Sequence, residues 1–523
     1  MNPDEAIVAS EVAGGIAGTL NEQDMRANML YEVNAQELRQ TLLGSEAAYI
    51  QFALGAQAGD DLLPTPEFHL QMFRLFIDES IKRVCVACPR SHAKTTIAKI
   101  AVSRLIHGAT SDMNIGYLSH SSPLATKALM DIRNLICSES MMAAFGVPKF
   151  IKEQLDRGEY SFELNGHTFN MSSFGANSQI RGYNVNNRRI DVLLVDDLED
   201  RQENESEVLF DKLKRWFFSD CIKALSPQGR LIMLGNIVNR NSIINENCAS
   251  PKWASIKLSA LKQDGTPLWP ELNSFADLIA EYNEYASKGL AGQWCAEMLN
   301  DPVAANTLSI DLQRITRSPK VDPESSEHEY GFITIDPAIS QAAWGHAQTM
   351  AVHCYYETPT PHWQIVDSRV AYGESPVALY AAMQDMCSKW NVSIVGFEAE
   401  AYQASLKSMF EYMDSVNGSS GLIDYVPLKT LKKSKASRIK SFVDLLYQGV
   451  YHLSDNDNLT ITQLLAFDPT RKDNSDDLID VEAYGCQMLE MHLEKIKQAK
   501  NRKLSKSGYS SELLQRIAAA SSL

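Results

Sequence analysis

Lys94 and Thr95 stand side by side where an apolar run, VCVAC, gives way to PRSHAKTT and then to a helical pattern. A lysine and a hydroxyl at such a junction can hold the phosphates of a nucleotide. Backbone N–H groups and the helix N-terminus take the oxygens, the ammonium reaches the β and γ phosphates, and the hydroxyl ligates Mg²⁺. The nucleotide-binding loop would comprise Cys88, Pro89, Arg90, Ser91, His92, Ala93, Lys94 and Thr95. Cys88 and Ala93 replace the two glycines of G-x-x-x-x-G-K-[ST], so the pair needs further groups to make a site.

Those groups follow downstream. In IDVLLVDDLED an apolar run ends in Asp196 and Asp197. One carboxylate is needed for the Mg²⁺ shell and a neighbour to orient or deprotonate the attacking water. Asp196 suits the first task and Asp197 the second, with Glu199 an alternative. The strand of GRLIMLGNIVNR ends in Gly235 and Asn236, and Asn236 is placed to sense the γ-phosphate. Transition-state charge calls for a cation, and two arginines qualify: Arg90 in the loop and Arg181 in QIRGYNVNNRRIDV. Upstream, PTPEFHLQMFRLF offers Pro66, Phe68, His69 and Gln71, an aromatic with imidazole and amide that can sandwich and read adenine.

A second set of carboxylates occupies element ends in the C-terminal half. Asp336 closes the strand YGFITID, Glu398 closes that of SIVGFEAE, and Asp476, Asp477 and Asp480 head the last helix. Asp477 and Asp480 share a helical face. Such a set can hold two divalent ions, Mg²⁺ or Mn²⁺, about 3.5–4 Å apart, one activating water and the other stabilising the leaving oxygen of a phosphodiester. The stretch KTLKKSKASRIK, with six Lys or Arg and no acid, follows the next strand and can neutralise DNA phosphates with salt-dependent affinity. A second basic run, KIKQAKNRKLSK, begins at Lys495.

The elements that must position these residues form two patterns. From about 61 to 305, the strands RVCVAC, MNIGYLSH, IDVLLVDD and GRLIMLGN alternate with helical stretches, which predicts βαβ units and a parallel sheet. From about 329 to 492, a strand, a hairpin across TPTP, a helix N-capped by Ser375 with Pro376 at its first position, a strand, a helix, a strand and a last helix give the order of a ribonuclease H-like domain. The fold class is therefore α/β, a P-loop ATPase domain followed by a ribonuclease H-like nuclease domain. Residues 1–60 read as a helical N-terminal segment, 306–328 as a linker, and 493–523 as a basic tail.

Length and composition agree. The chain has 523 residues, enough for several cores, and no apolar run approaches the ~20 residues that span a bilayer. An intracellular protein without a membrane partner is expected. Nine scattered cysteines lack zinc spacing and read as reduced core residues. A net charge of −16 argues against a surface coated in nucleic acid while leaving room for local basic grooves.

Assembled in this order, the motifs resemble those of the large terminase subunit of tailed double-stranded DNA bacteriophages. PRSHAKTT resembles its deviant Walker A loop, which often lacks the standard glycines and carries an early basic residue. LLVDDLED resembles Walker B, with Asp197 where glutamate is more usual, and IMLGN resembles the coupling segment. DGTPLWPE resembles the close of the ATPase half, KASRIKSFVDLLYQGVYHL a basic helix leading into a Gly turn, and Asp336, Glu398 and Asp477/Asp480 the nuclease site. The resemblance implies an ATPase and metal-dependent endonuclease that uses ATP with Mg²⁺, moves double-stranded DNA into a procapsid and cuts concatemers. It implies a small terminase subunit and the portal protein as partners, and several copies assembled on the portal. It also implies action in the host cytoplasm and absence from the mature virion. A helicase-like ATPase fused to a nuclease for repair or restriction is the enzyme alternative, and an adaptor retaining both folds without activity is the non-enzyme one.

Overall fold

The computed structural model describes residues 28–58, 63–199, 207–262, 264–302, 310–324, 327–337, 347–357, 359–398, 401–428, 434–469, 474 and 476–499. They form two compact units. The first comprises Met1–Lys262, Pro267–Ser274 and Gln293–Pro302, the second Gln263–Thr266, Phe275–Gly292 and Val303–Leu523.

The first unit opens with α1 (Asn28–Gly44), α2 (Glu46–Ala58) and α3 (Glu67–Ile77). These first two helices lie in the N-terminal segment 1–60 and share the core of the first unit. Leu38, Leu42, Tyr49, Ile50 and Ala53 join the same core as Phe68, Met72 and Phe76 of α3. The Tyr49 hydroxyl lies 2.7 Å from His107 Nδ1, deep in that core. Then come β1 (Arg83–Ala87), α4 (Lys94–His107), β2 (Met113–Ser119), α5 (Ser122–Ile136), α6 (Glu139–Phe145), β3 (Lys149–Gln154), β4 (Glu159–Leu164) and β5 (His167–Gly175). They are followed by β6 (Ile190–Asp196), α7 (Glu207–Trp216), β7 (Leu225–Gly235), α8 (Ile243–Ala249) and β8 (Ala254–Lys257).

The eight strands lie in the order β3-β4-β5-β2-β6-β7-β1-β8. The part from β5 to β8 is parallel, as the alternation of strands and helices predicts. The antiparallel β3-β4-β5 meander was not foreseen. β3 is an edge strand with exposed Lys149, Ile151 and Lys152, and its register shifts between Phe150 and Lys152. β7 lies between β1 and β6, pairing Ala87 with Gly235 and Asp196 with Leu234, so three strands end at one level.

Of the next two helices, α9 (Phe275–Ser287) groups with the second unit, whereas α10 (Ala291–Leu299) brings Trp294, Cys295 and Glu297, all buried, into the first. The second unit thus also takes in Gln263–Thr266 and Phe275–Gly292, ahead of residue 305.

The second unit contains β9 (Arg317–Ser318), β10 (Tyr330–Pro337), β11 (Gln348–Tyr356), β12 (His362–Ala371), α11 (Pro376–Trp390), β13 (Ile394–Glu398) and α12 (Ala401–Val416). β14 (Asp424–Leu428), α13 (Lys435–Tyr447), β15 (Tyr451–Ser454), α14 (Asn458–Ala466) and α15 (Asp477–Ala499) complete it. Its sheet runs β14-β13-β10-β11-β12-β15-β9. β10, β11 and β12 are antiparallel, while β13 and β14 continue parallel to β10. This is the expected ribonuclease H-like order, extended at the β12 edge by β15 and β9. Ser375 caps α11, accepting from Ala378 N, with Pro376 at the first turn. α15 packs on β10 and β11 and continues to Ala499, past the expected domain end at 492. It can approach because residue 485 is glycine: a Cβ there would stand 2.6 Å from His353 Cε1 and 2.8 Å from the Tyr451 hydroxyl.

Candidate active sites

In the first unit, the level ends of β1, β6 and β7 gather the expected phosphate-site residues. Cys88 N donates to Gly235 O at 3.0 Å and Asp197 N to Leu234 O at 3.1 Å, tying the loop and the acidic pair to the end of β7. Lys94 Nζ, largely buried, donates to Asn236 Oδ1 at 2.8 Å and lies 3.5 Å from Asp197 Oδ2. Thr95 Oγ1 donates to Asp196 Oδ2 at 2.8 Å. The Tyr117 hydroxyl, not singled out from the sequence, donates to the same oxygen at 2.6 Å. Asp196 Oδ1 is buried with no protein partner. Burial first, and then the charge of Asp197, raises the Asp196 carboxyl to about 6. A buried carboxylate with one orphaned oxygen beside a threonine hydroxyl fits an Mg²⁺ ion, which would restore its negative form.

The loop takes its shape without glycine. Ser91 (φ 61) and Ala93 (φ 58) are both left-handed, and Ala93 occupies the position where the usual pattern has its second glycine. Left-handed backbone costs a non-glycine residue roughly 1–2 kcal/mol. Two imidazoles support it. His92 Nδ1 lies 2.8 Å from Arg90 O, and His69 Nε2 lies 3.1 Å from His92 O. His69 is therefore directed at the loop backbone. Burial lowers His92 and takes His69 down to about 4, so both are neutral at pH 7. Phe68 packs on His69 and, edge to face, on Trp269 of the LWPE stretch. Gln71 is exposed on α3, and Pro66 precedes its first turn.

The other candidates are distributed differently. Arg90 N donates to Glu297 O at 3.0 Å, and its guanidinium pairs with Glu297 Oε2 at 3.1 Å. Glu297 also accepts from Asn236 Nδ2 through its carbonyl, at 2.8 Å. Nothing in the sequence flagged Glu297. Arg181, largely exposed, reaches toward Asp220 at 3.8 Å. Glu199 accepts from Ile243 N at the head of α8.

In the second unit, β10 and β13 run parallel with Ile335 beside Phe397. One step further, this register sets Asp336 and Glu398 side by side at the strand ends, about 4.8 Å apart along the sheet. The side chain of Glu398 lies outside the described residues. Asp336 pairs across the sheet with Thr349, whose hydroxyl donates to Asp477 O at 3.1 Å. Asp477 Oδ2 accepts from Ala347 N at 3.2 Å. The head of α15 is thereby fixed beside the strand that faces Asp336.

The three acids of this helix head are not equivalent. Asp480 receives a fork from Arg438, at 2.8 and 3.0 Å, and lies 3.4 Å from Lys435. Asp476 accepts from Lys435 at 2.6 Å. Two of the three are thus matched to cations of α13, leaving Asp477 turned toward β11. Among the described residues, no three His, Cys, Asp or Glu side chains converge as a metal cage. The donor chemistry, carboxylates at adjoining element ends, fits a hard divalent ion. Residues 429–433 of the basic stretch lie outside the described residues, as does the second basic run beyond Ala499. Lys435, Arg438 and Lys440 carry the remainder on α13.

No protein-family model matches the chain, and no curated protein matches it. Among solved structures it is similar to the large terminase of a thermophilic bacteriophage, at 11% identity and a TM-score of 0.34, over 82% of this chain and 100% of that chain. It is similar to the large terminase ATPase domain of Thermus phage P74-26, at 13% identity and a TM-score of 0.31, over 46% of this chain and 100% of that one. It is also similar to the large terminase nuclease of thermophilic phage G20c, at 16% identity and a TM-score of 0.24, over 33% of this chain and 92% of that one. Among the described residues no helix is long and apolar enough to cross a membrane.

Proposed function

We propose that this chain is the large subunit of a viral terminase, an ATPase that drives double-stranded DNA into a procapsid and a nuclease that cuts the DNA concatemer. The observation that carries the reading is the convergence of Lys94, Thr95, Asp196, Asp197 and Asn236 at the ends of β1, β6 and β7, on a chain whose second unit sets Asp336 and Glu398 on adjoining strand ends.

In the ATPase half, Lys94 leaves Asn236 to hold β- and γ-phosphate oxygens. Asp197, half-exposed and close to Lys94, orients the attacking water and accepts its proton. Thr95 and Asp196 would hold Mg²⁺, which supplies charge neutralisation across the phosphates. Asn236, freed from Lys94, registers the γ-phosphate and its loss. Arg90 supplies a cation to the transition state. In the nuclease half, Asp336, Glu398 and Asp477 would hold the divalent ions that activate water and stabilise the leaving oxygen. Asp476 and Asp480 balance Lys435 and Arg438, the cations that meet the DNA backbone. Partners on this reading are double-stranded DNA, a small terminase subunit and the portal protein, with several copies on the portal in the host cytoplasm.

The test is separability. Lys94→Ala should abolish ATP turnover and spare Mn²⁺-dependent cutting, and Asp336→Ala should do the reverse. Loss of both activities in either folded variant contradicts two independent sites. ATP-dependent DNA uptake should require a procapsid with its portal, whereas unwinding of naked DNA would indicate a repair enzyme instead.

A further inference from the structure

Two cysteines face one another behind the phosphate site. Strand alternation sends Val84 and Val86 of β1 into one core layer and Cys85 and Ala87 into the other, the side that α8 covers. On α8, Ile244 and Cys248 stand four residues apart and share the face turned to β1. Cys85 Sγ donates to Ile244 O at 3.5 Å and lies 3.2 Å from Cys248 Sγ. Both are free thiols, Cys85 fully buried and Cys248 partly exposed. Their mutual hydrogen bond, and then burial, makes the Cys85 thiol hold its proton, whereas the same bond, aided by the charge of Lys257, draws Cys248 below the usual thiol range. The accessible sulfur is thus the more nucleophilic one.

We infer that Cys85 and Cys248 are an oxidisable dithiol that closes to a disulfide when the chain meets a hydroperoxide, and that closure slows ATP turnover. The thiol chemistry is independent of the ATPase reading, whereas the effect on turnover rests on it. The Cys248 thiolate attacks the peroxide, an S–O bond forms as the O–O bond breaks, and a sulfenic acid and hydroxide result. Cys85, already alongside, then attacks the Cys248 sulfur. The S–S bond forms, the S–O bond breaks, and the hydroxide leaves as water with the Cys85 proton. The two thiols lose two electrons and the peroxide gains them. Closing from 3.2 Å to the roughly 2 Å of a disulfide bond draws the two elements together by about 1 Å. β1 is held between β7 and β8, so α8 is the part that moves. That helix bears on the acidic pair: Ile243 N donates to Glu199, two residues beyond Asp197. A Cβ on Gly235 would stand 3.3 Å from Ile244 Cδ1 and 3.2 Å from Asp197 Oδ1, so α8 and Asp197 press on the same residue from two sides. Asp197 is left-handed at φ 43, a conformation that its surroundings must hold in place.

The experiment exposes the reduced full chain to hydrogen peroxide, blocks the remaining thiols by alkylation, and maps the unreduced peptides by mass spectrometry. A peptide joining Cys85 to Cys248 should appear and should split on treatment with dithiothreitol. ATP turnover should fall about tenfold or more as the cross-link forms, and recover with the same reductant. Cys248→Ala should form no cross-link, turn over ATP as wild type does, and resist peroxide. Cys85→Ala should also resist cross-linking while its Cys248 accumulates sulfenic acid that dimedone traps, and it decides the matter if Cys248→Ala is unstable. Absence of the Cys85–Cys248 peptide overturns the dithiol. A cross-link that leaves turnover unchanged, or an equal loss of turnover in Cys248→Ala, overturns its hold on the site. A reduced wild-type chain that turns over no ATP overturns the ATPase reading itself, and the cross-link still decides the dithiol.

Discussion

Gly485→Ala tests whether the depth of one helix sets the second active site. The added methyl would lie 2.6 Å from His353 Cε1, 2.9 Å from His353 Nδ1 and 2.8 Å from the Tyr451 hydroxyl. Carbon atoms in ordinary contact stand about 3.5–4.0 Å apart, so roughly 1 Å must open. His353 cannot yield it. The ring is fully buried, stacked on Phe332 at 4.6 Å, and 2.9 Å from Thr334 Oγ1. The helix must therefore lift from the sheet, and overpacking of this kind costs about 1–3 kcal/mol. Asp477 lies on the same helix, about 12 Å toward its N-terminus at 1.5 Å per residue. It moves with the helix, away from the strand that carries Asp336. A misplacement near 1 Å can cost on the order of 10²-fold in rate. The variant should stay folded, melt several degrees lower, and nick supercoiled plasmid in Mn²⁺ ten- to a hundredfold more slowly, with ATP turnover unchanged. Wild-type nicking together with wild-type melting would show that Gly485 does not govern the site, and the account of helix depth would fail.

Tyr117→Phe removes one of two donors to Asp196 Oδ2. Groups that orient a metal ligand typically contribute 10–100-fold to metal affinity, so ATP turnover should require about tenfold more Mg²⁺ while its rate at saturation changes less. An unaltered Mg²⁺ titration refutes the assignment. Burial holds His353 neutral by taking it down to about 3, whereas in the unfolded chain it titrates near 6.5. The unfolded state therefore binds the extra proton below 6.5, and stability falls as pH drops through the window from about 6.5 toward 3. Between pH 7 and 5 this amounts to about 2 kcal/mol. Urea unfolding at those two pH values should show wild type losing about that much more than His353→Gln, and equal losses would contradict a neutral His353.

The clustering of the candidate phosphate site was legible because its chemistry is local. Four apolar runs announce their strands, and Lys94, Thr95, Asp196 and Asn236 each follow the end of one or stand in its last residue. Glu297 was not, because it sits within AGQWCAEML, a short helix that reads as ordinary core, and only its folding back onto the loop brings it to Arg90. The adenine reading of His69 drew on residue type alone, whereas its bond partner, the His92 carbonyl, is a backbone group that sequence does not display. The polar look of residues 1–60 concealed an apolar face: Leu38, Leu42, Tyr49 and Ile50 are spread among Glu and Gln. In the second unit the strand order was readable, but the division of labour among Asp476, Asp477 and Asp480 was not. It depends on which acids Lys435 and Arg438 reach from a different helix. β15 and β9, of four and two residues, are too short to carry a periodic signal.

The outer edge of the first sheet bears on how copies of the chain can be crowded together. β3 displays a row of backbone groups that another strand could join, which is how sheets of neighbouring molecules fuse. Here the pairing of β3 with β4 slips around Ile151, and lysines stand on either side: Lys149 near Glu163 at 3.7 Å and Lys152 bonded to Glu159 at 2.8 Å. An incoming identical strand would meet a broken register and like charges. Wherever copies of the chain meet at high concentration, that edge works as a guard against aggregation, keeping the sheets of neighbouring molecules from zipping into a fibre.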